Sequence, residues 1–138
     1  MNKKANQSGK VFDKMDRLCL LLLAFDANVP VKYRRSLWEP MRMWADQAQA
    51  CSEMAYLEPN PREKFDLIKD ARKHFRVFVR YHTRCETTGE FQFGRTLSLD
   101  MAELIEDIEG ELARWLASQR KLLVSGGAVA AAPCAPSM

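Results

Sequence analysis

Basic side chains that could hold an anionic ligand recur at helical spacing in the third apolar-periodic segment of the chain. At 100° per residue they fall within an arc of about 80°, opposite Ala71, Phe75 and Phe78. We call them the basic row: Lys69, Lys73, Arg76, Arg80 and Arg84. Like charges four residues apart on a helix repel each other, so helix stability does not explain the row. A phosphate backbone or another polyanion would offset this repulsion, and the row predicts such a partner.

Charge elsewhere in the sequence leaves a second interpretation open. Residues 100–111 contain six carboxylates and no basic residue, and they could pair with the basic row within one chain or between subunits. The two interpretations can coexist if pairing covers only part of the row. A second basic patch near the start of the second helix supplies further candidate phosphate contacts, namely Arg34, Arg35 and Arg42.

Catalytic and metal-binding motifs are missing from the sequence. The four cysteines stand more than 30 residues apart, and neither of the two histidines has metal-ligand spacing. Glu103 and Asp107 can lie close on a helix surface, yet no histidine shares their spacing, so a hydrolase or transferase site there is a remote third hypothesis. His82 lies on the apolar side of its helix and is expected to be a core or rim histidine. The sequence predicts no catalytic residue, no metal site and no cofactor.

Four segments with helical periodicity would position these residues, and Pro or Gly signals separate them. With a net charge of +3 and 138 residues, the chain suits one domain. We therefore predict an all-α, up-down four-helix bundle over residues 11–124, between a flexible basic arm (1–10) and a disordered Gly/Ala/Pro tail (125–138). The predicted helices are Val11–Ala27, Val31–Leu57, Pro61–Arg84 and Ser98–Leu123.

Local signals define several of these helices. Pro40 predicts a kink near Trp38, or a short helix that ends there. Asn60 and Pro61 form a well-defined helix start, with Glu63 three residues after the cap. Ser98 and Asp100 suit the start of the fourth helix.

Apolar residues beyond those needed for one buried face raise the question of subunit contacts. The centre of the first segment, LCLLLLAF, is apolar all round, which predicts a central helix or a helix at a subunit interface. Trp38, Phe91 and Phe93 could either cover one end of the bundle or form such an interface. The same apolar run is eight residues long, whereas about 20 are needed to cross a bilayer. With no secretion signal at the start, we expect no membrane association and a cytoplasmic protein.

Three segments resemble the accessory variability determinant (Avd) proteins of diversity-generating retroelements. They are KYRRSLWEPM, KFDLIKDARKHFRVFVRY and ELIEDIEGELARWLAS, and the similarity covers roughly residues 12–119. Those proteins belong to a wider four-helix-bundle family that includes proteins encoded in 23S rRNA intervening sequences.

The resemblance implies a non-enzymatic bundle that assembles as a homopentamer. It also implies binding to the reverse transcriptase of the retroelement and to its template RNA, with DNA as a further possible ligand, in support of mutagenic cDNA synthesis. The alternative hypothesis is a structural or adaptor bundle that oligomerises with protein partners and binds no nucleic acid.

Overall fold

The computed structural model describes the backbone of residues 7–137 and the side chains of residues 11–125. Within these residues the chain is an all-α bundle of four helices without strands, so the predicted fold class is confirmed. The predicted arm and nearly all of the predicted tail lie outside the residues whose side chains are described. The helices are α1 (Gln7–Phe25), α2 (Glu39–Leu57), α3 (Pro61–Thr87) and α4 (Arg95–Ser137).

The core lies along the axis of the bundle. α1 contributes the apolar residues predicted from its spacing, none of them more than 6% exposed: Val11, Met15, Leu18, Leu22 and Phe25. α2 presents mostly small residues to the core, including Ala45, Ala48 and Ser52. Small side chains let two helices approach closely, and α2 packs most extensively against α3.

The outer surface of the C-terminal half of α1 is apolar. Leu20 and Leu23 are 58% and 53% exposed, whereas Leu21 is partly buried against the core. α1 is therefore not a central helix enclosed by the others, and its surplus apolar residues face outward in the single chain. None of the described helices combines the length and apolarity needed to cross a membrane.

The interruption that Pro40 predicts lies where it was expected, as a change of helix type. After α1 come a 3-10 turn (Asp26–Asn28), one α-helical turn (Val31–Tyr33) and a π-helical segment (Arg34–Trp38). The backbone N–H of Glu39 donates to the carbonyl of Arg34, five residues back. Pro40 follows directly in the first turn of α2, so the N–H that proline lacks falls at the change from π-helical to α-helical backbone.

The start of α3 is confirmed in detail. The Asn60 side chain accepts hydrogen bonds from the backbone N–H groups of Arg62 and Glu63, both at 3.0 Å. The backbone N–H of Asn60 donates to the Glu58 carboxylate at 3.0 Å. Glu58 therefore takes the place of Glu63, which a capping box would have used.

The connection between α3 and α4 is shorter than predicted. α3 continues three residues past Arg84, and α4 begins at Arg95 and not at Ser98. Gly89 and Gly94 have φ angles of 71° and 81°, in the left-handed region that glycine tolerates best. The carbonyl of Gly94 accepts from the backbone N–H of Ser98 at 3.0 Å, so the helix starts directly after this glycine.

Aromatic rings close the end of the bundle where this connection lies. Trp38, Phe91 and Phe93 are 0%, 7% and 8% exposed. The ring of Phe93 lies 4.6 Å from that of Phe25, and the ring of Trp38 lies 6.0 Å from that of Phe91, between centroids. Of the two roles predicted for these aromatic residues, covering the bundle end is the one found.

Candidate nucleic-acid interface

The basic row lies on the solvent-facing side of α3. All five side chains are exposed, and none makes an ion pair with any residue of the described part of the chain. Two of them lie against aromatic rings of the same helix: Lys69 Nζ is 5.7 Å from the centre of the Phe65 ring, and the guanidinium carbon of Arg84 is 5.4 Å from the centre of the Tyr81 ring. The charges of the row are therefore available to a partner.

The dimensions of the row follow from helix geometry. Fifteen residue steps from Lys69 to Arg84, at about 1.5 Å each, give a straight row about 22 Å long. Neighbouring cations are three or four residues apart, so they rise along the axis by about 4.5 to 6 Å. A strand of nucleic acid presents phosphates at comparable intervals, so the row can contact several phosphates at once.

Two acidic residues of α4 pair with Lys14 of α1 and not with the basic row. Lys14 of α1 pairs with Glu111 and with Asp107, the latter at 3.5 Å. The hydrogen bond to Glu111 is the main cause that raises the pKa of Lys14. Pairing of these carboxylates with the basic row within one chain is not found among the described residues, and pairing between subunits stays a hypothesis.

The second basic patch divides into engaged and exposed residues. Arg34 and Arg42 both donate to Oδ1 of Asp26, at 3.1 and 3.3 Å, while Arg35 is exposed and forms no ion pair with the described residues. The indole N–H of Trp38 donates to the same oxygen at 2.7 Å and is the main cause that lowers the pKa of Asp26. Arg34 and Arg42 therefore tie the turn after α1 to the π-helical segment and to α2.

Asp26 is a structurally important residue that was not predicted from the sequence. Its position in the sequence could have indicated this role, because an acidic residue stands directly after an apolar helix and shortly before the basic residues around Arg34. Its three donors come from positions 8, 12 and 16 residues further along the chain. Only the turn geometry brings them together.

A recess opens between α3 and α4, beside the basic row. It measures about 210 Å³ and is lined by Arg72, Phe75, Arg76, Glu109 and Leu112. Phe75 and Leu112 are 1% and 0% exposed and form its apolar floor. The three charged residues around it make no ion pair or side-chain hydrogen bond with other described residues. Arg72 and Glu109 were not predicted as site residues, although Arg72 stands one turn before Arg76.

His82 is buried, as predicted, at the aromatic end of the bundle. It is 5% exposed and lies between the rings of Phe78 and Phe93, at 5.9 and 6.0 Å between centroids. Its Nε2 has no hydrogen-bond partner among the described residues, and its Nδ1 lies 3.9 Å from a carboxylate oxygen of Glu86. Burial lowers the pKa of His82, and the carboxylate of Glu86 opposes this effect.

Other potentially reactive groups do not converge on a site. Within the described residues no three metal-ligating side chains lie close enough together to share an ion. Burial raises the pKa of the Cys19 and Cys85 thiols to about 12, so both are protonated at neutral pH.

Comparisons with known proteins identify no relative of this chain. No protein-family model matches the chain, and no curated protein or solved structure shows significant similarity to it.

Proposed function

We propose that this chain is a non-enzymatic RNA-binding protein whose basic row contacts the phosphate backbone. One observation carries the proposal: five exposed cations stand in a straight row on α3 without an ion pair among the described residues. Fixed charges that repel one another in the free protein are stabilised when phosphates approach and counterions are released. Contacts of this kind position an RNA without reading its sequence.

The sequence resemblance extends this proposal to a cellular role. It suggests that the protein is an accessory factor of a diversity-generating retroelement, assembles as a homopentamer and binds the reverse transcriptase together with its template RNA. This part predicts a reverse-transcriptase gene beside the gene for this chain. A genomic neighbourhood without one would overturn the retroelement role and leave the RNA-binding proposal standing.

A second candidate function, a protein-binding adaptor, is favoured by exposed apolar residues. Leu20 and Leu23 lie on the outer surface of α1, and Met43 and Met54 are 47% and 57% exposed on α2. Such residues suit contacts with another protein or another subunit. Under this hypothesis the charges of the basic row pair with carboxylates of a neighbouring subunit.

Salt-dependent RNA binding tests the first candidate against the second. If all five cations contact phosphates, the logarithm of the affinity should fall with the logarithm of salt concentration with a slope of about −3.5 to −4.5. Neutralising Lys73, Arg76 and Arg80 to glutamine should reduce the slope to about −1.4 to −1.8. The measurement is fluorescence anisotropy with a labelled structured RNA at several salt concentrations.

A matched variant controls for net charge. It neutralises three exposed cations outside the row and, like the first variant, takes the formal charge from +3 to zero: Arg17, Arg95 and Lys121, each to glutamine. RNA binding that is lost equally in both variants would contradict a defined interface. A fall in oligomeric mass by light scattering in the row variant alone, without RNA binding by the wild type, would favour the adaptor.

A further inference from the structure

The recess beside the basic row has the chemistry of a site for one unpaired nucleobase. We propose that it binds an unpaired guanine of the RNA whose backbone follows the row, with Glu109 as the residue that selects the base. This inference rests on the proposed RNA-binding function. It adds recognition of one base, which contacts between the basic row and phosphates cannot provide. Three properties of the recess carry it: its size, its charged walls and its position.

The size of the recess fits a single base. Pockets for drug-sized ligands start at about 300 Å³, and the recess has about 210 Å³. Phe75 and Leu112 lie at its base and are almost fully buried, so the surface open to a ligand belongs mainly to Arg72, Arg76 and Glu109. Arg72 and Arg76 line the α3 side, and arginine side chains are common stacking partners for unpaired RNA bases.

The wall on the α4 side determines which base is recognised. The carboxylate of Glu109 accepts hydrogen bonds, and its two oxygens can accept from two adjacent donors. Guanine presents such a pair, N1–H and N2–H, on its Watson–Crick edge. Adenine, cytosine and uracil each present fewer donors there, and in a paired guanine this edge is already occupied. The carboxylate therefore favours an unpaired guanine.

The recess lies close enough to the basic row for one nucleotide to contact both, with its phosphate on the row and its base in the recess. Arg76 belongs both to the basic row and to the recess, and Arg72 lies about 40° further round the helix, toward α4. A nucleotide whose phosphate contacts the row at Arg76 can therefore turn its base toward Glu109. The negative charge of Glu109 weakens binding to any phosphate nearby, so its presence beside the row favours only a ligand that donates hydrogen bonds to it.

The test compares hairpin RNAs that differ only in one unpaired nucleotide: guanosine, inosine, adenosine, cytidine or uridine. Anisotropy at fixed salt should show the guanosine hairpin binding about tenfold more tightly than the last three. The inosine hairpin, which lacks the 2-amino group, should fall in between. The variant Glu109→Gln should bind the adenosine, cytidine and uridine hairpins slightly more tightly, because a negative charge is removed. It should bind the guanosine hairpin more weakly than the wild type does, because the paired acceptor is lost, and most of the preference for guanosine should disappear.

Glu106→Gln is the matched control, because Glu106 is an exposed carboxylate of the same helix outside the recess. It should strengthen binding slightly and keep the preference. Equal affinity of the wild type for all five hairpins would overturn the guanine site while leaving the RNA-binding function intact. No binding to any of them would overturn the proposed function, and the guanine site with it.

Discussion

Replacing Trp38 with alanine should remove a large part of the stability of the bundle. The indole is fully buried, packs against the rings of Phe25, Phe91 and Phe93, and donates a hydrogen bond of 2.7 Å to Asp26. Large-to-alanine changes at such aromatic positions cost about 3 to 5 kcal/mol, because contacts are lost and a cavity remains. The total free energy of unfolding of a domain is about 5 to 15 kcal/mol.

A second variant separates the contribution of ring packing from that of the indole hydrogen bond. Trp38→Phe keeps a ring at this position but removes the indole N–H, so it should cost about 1 to 2 kcal/mol. Asp26 still accepts from Arg34 and Arg42 in this variant, which limits the loss. The difference between the two variants then measures the contribution of ring packing.

Urea unfolding followed by circular dichroism and by the fluorescence of the two remaining tryptophans gives both values. A loss below about 1 kcal/mol for Trp38→Ala would refute the packing argument.

Three further changes test other parts of the structure. His82 has a lowered pKa in the folded chain, so the unfolded chain binds more protons as the pH drops through about 6.5. The free energy of unfolding should therefore fall in that range, and His82→Gln should flatten this pH dependence in urea unfolding. Asn60→Ala should cost about 1 kcal/mol in urea unfolding through loss of the helix cap, and Asn60→Asp, which keeps the cap, should cost much less. Lys14→Met should cost about 2 kcal/mol because it leaves the largely buried carboxylate of Glu111 without its partner, and adding Glu111→Gln should restore part of the loss; full stability of the single variant would contradict this pairing.

Features encoded by neighbouring residues could be predicted from the sequence. The buried residues of α1, from Val11 to Phe25, follow from three- and four-residue spacing alone. The start of α3 follows from Asn60 and Pro61, since a cap acts on the next turn of the same helix. The exposure of the basic row also follows from periodicity, because a charged row opposite a buried row must face outward.

Features that depend on how helices are placed against each other could not be predicted. Asp26 collects donors from two later segments, and the recess joins Arg72 of α3 to Glu109 of α4, so both depend on the rotation of one helix relative to another. The start of α4 at Arg95 depends on the left-handed conformation of Gly94, which the more conventional capping residues Ser98 and Asp100 obscured. Whether the charges of the row pair between subunits depends on an assembly that one chain does not define.

The short connection between α2 and α3 has a consequence for the order of folding. Three residues, Glu58 to Asn60, join two long helices, and the cap at Asn60 is satisfied by adjacent residues. Closing so short a loop costs little chain entropy, and local contacts of this kind form early. We therefore expect the hairpin of α2 and α3 to be the folding nucleus, against which α1 and α4 dock. The helix that carries the basic row would then be formed before α4 docks, so a nascent chain would already present these cations to solvent.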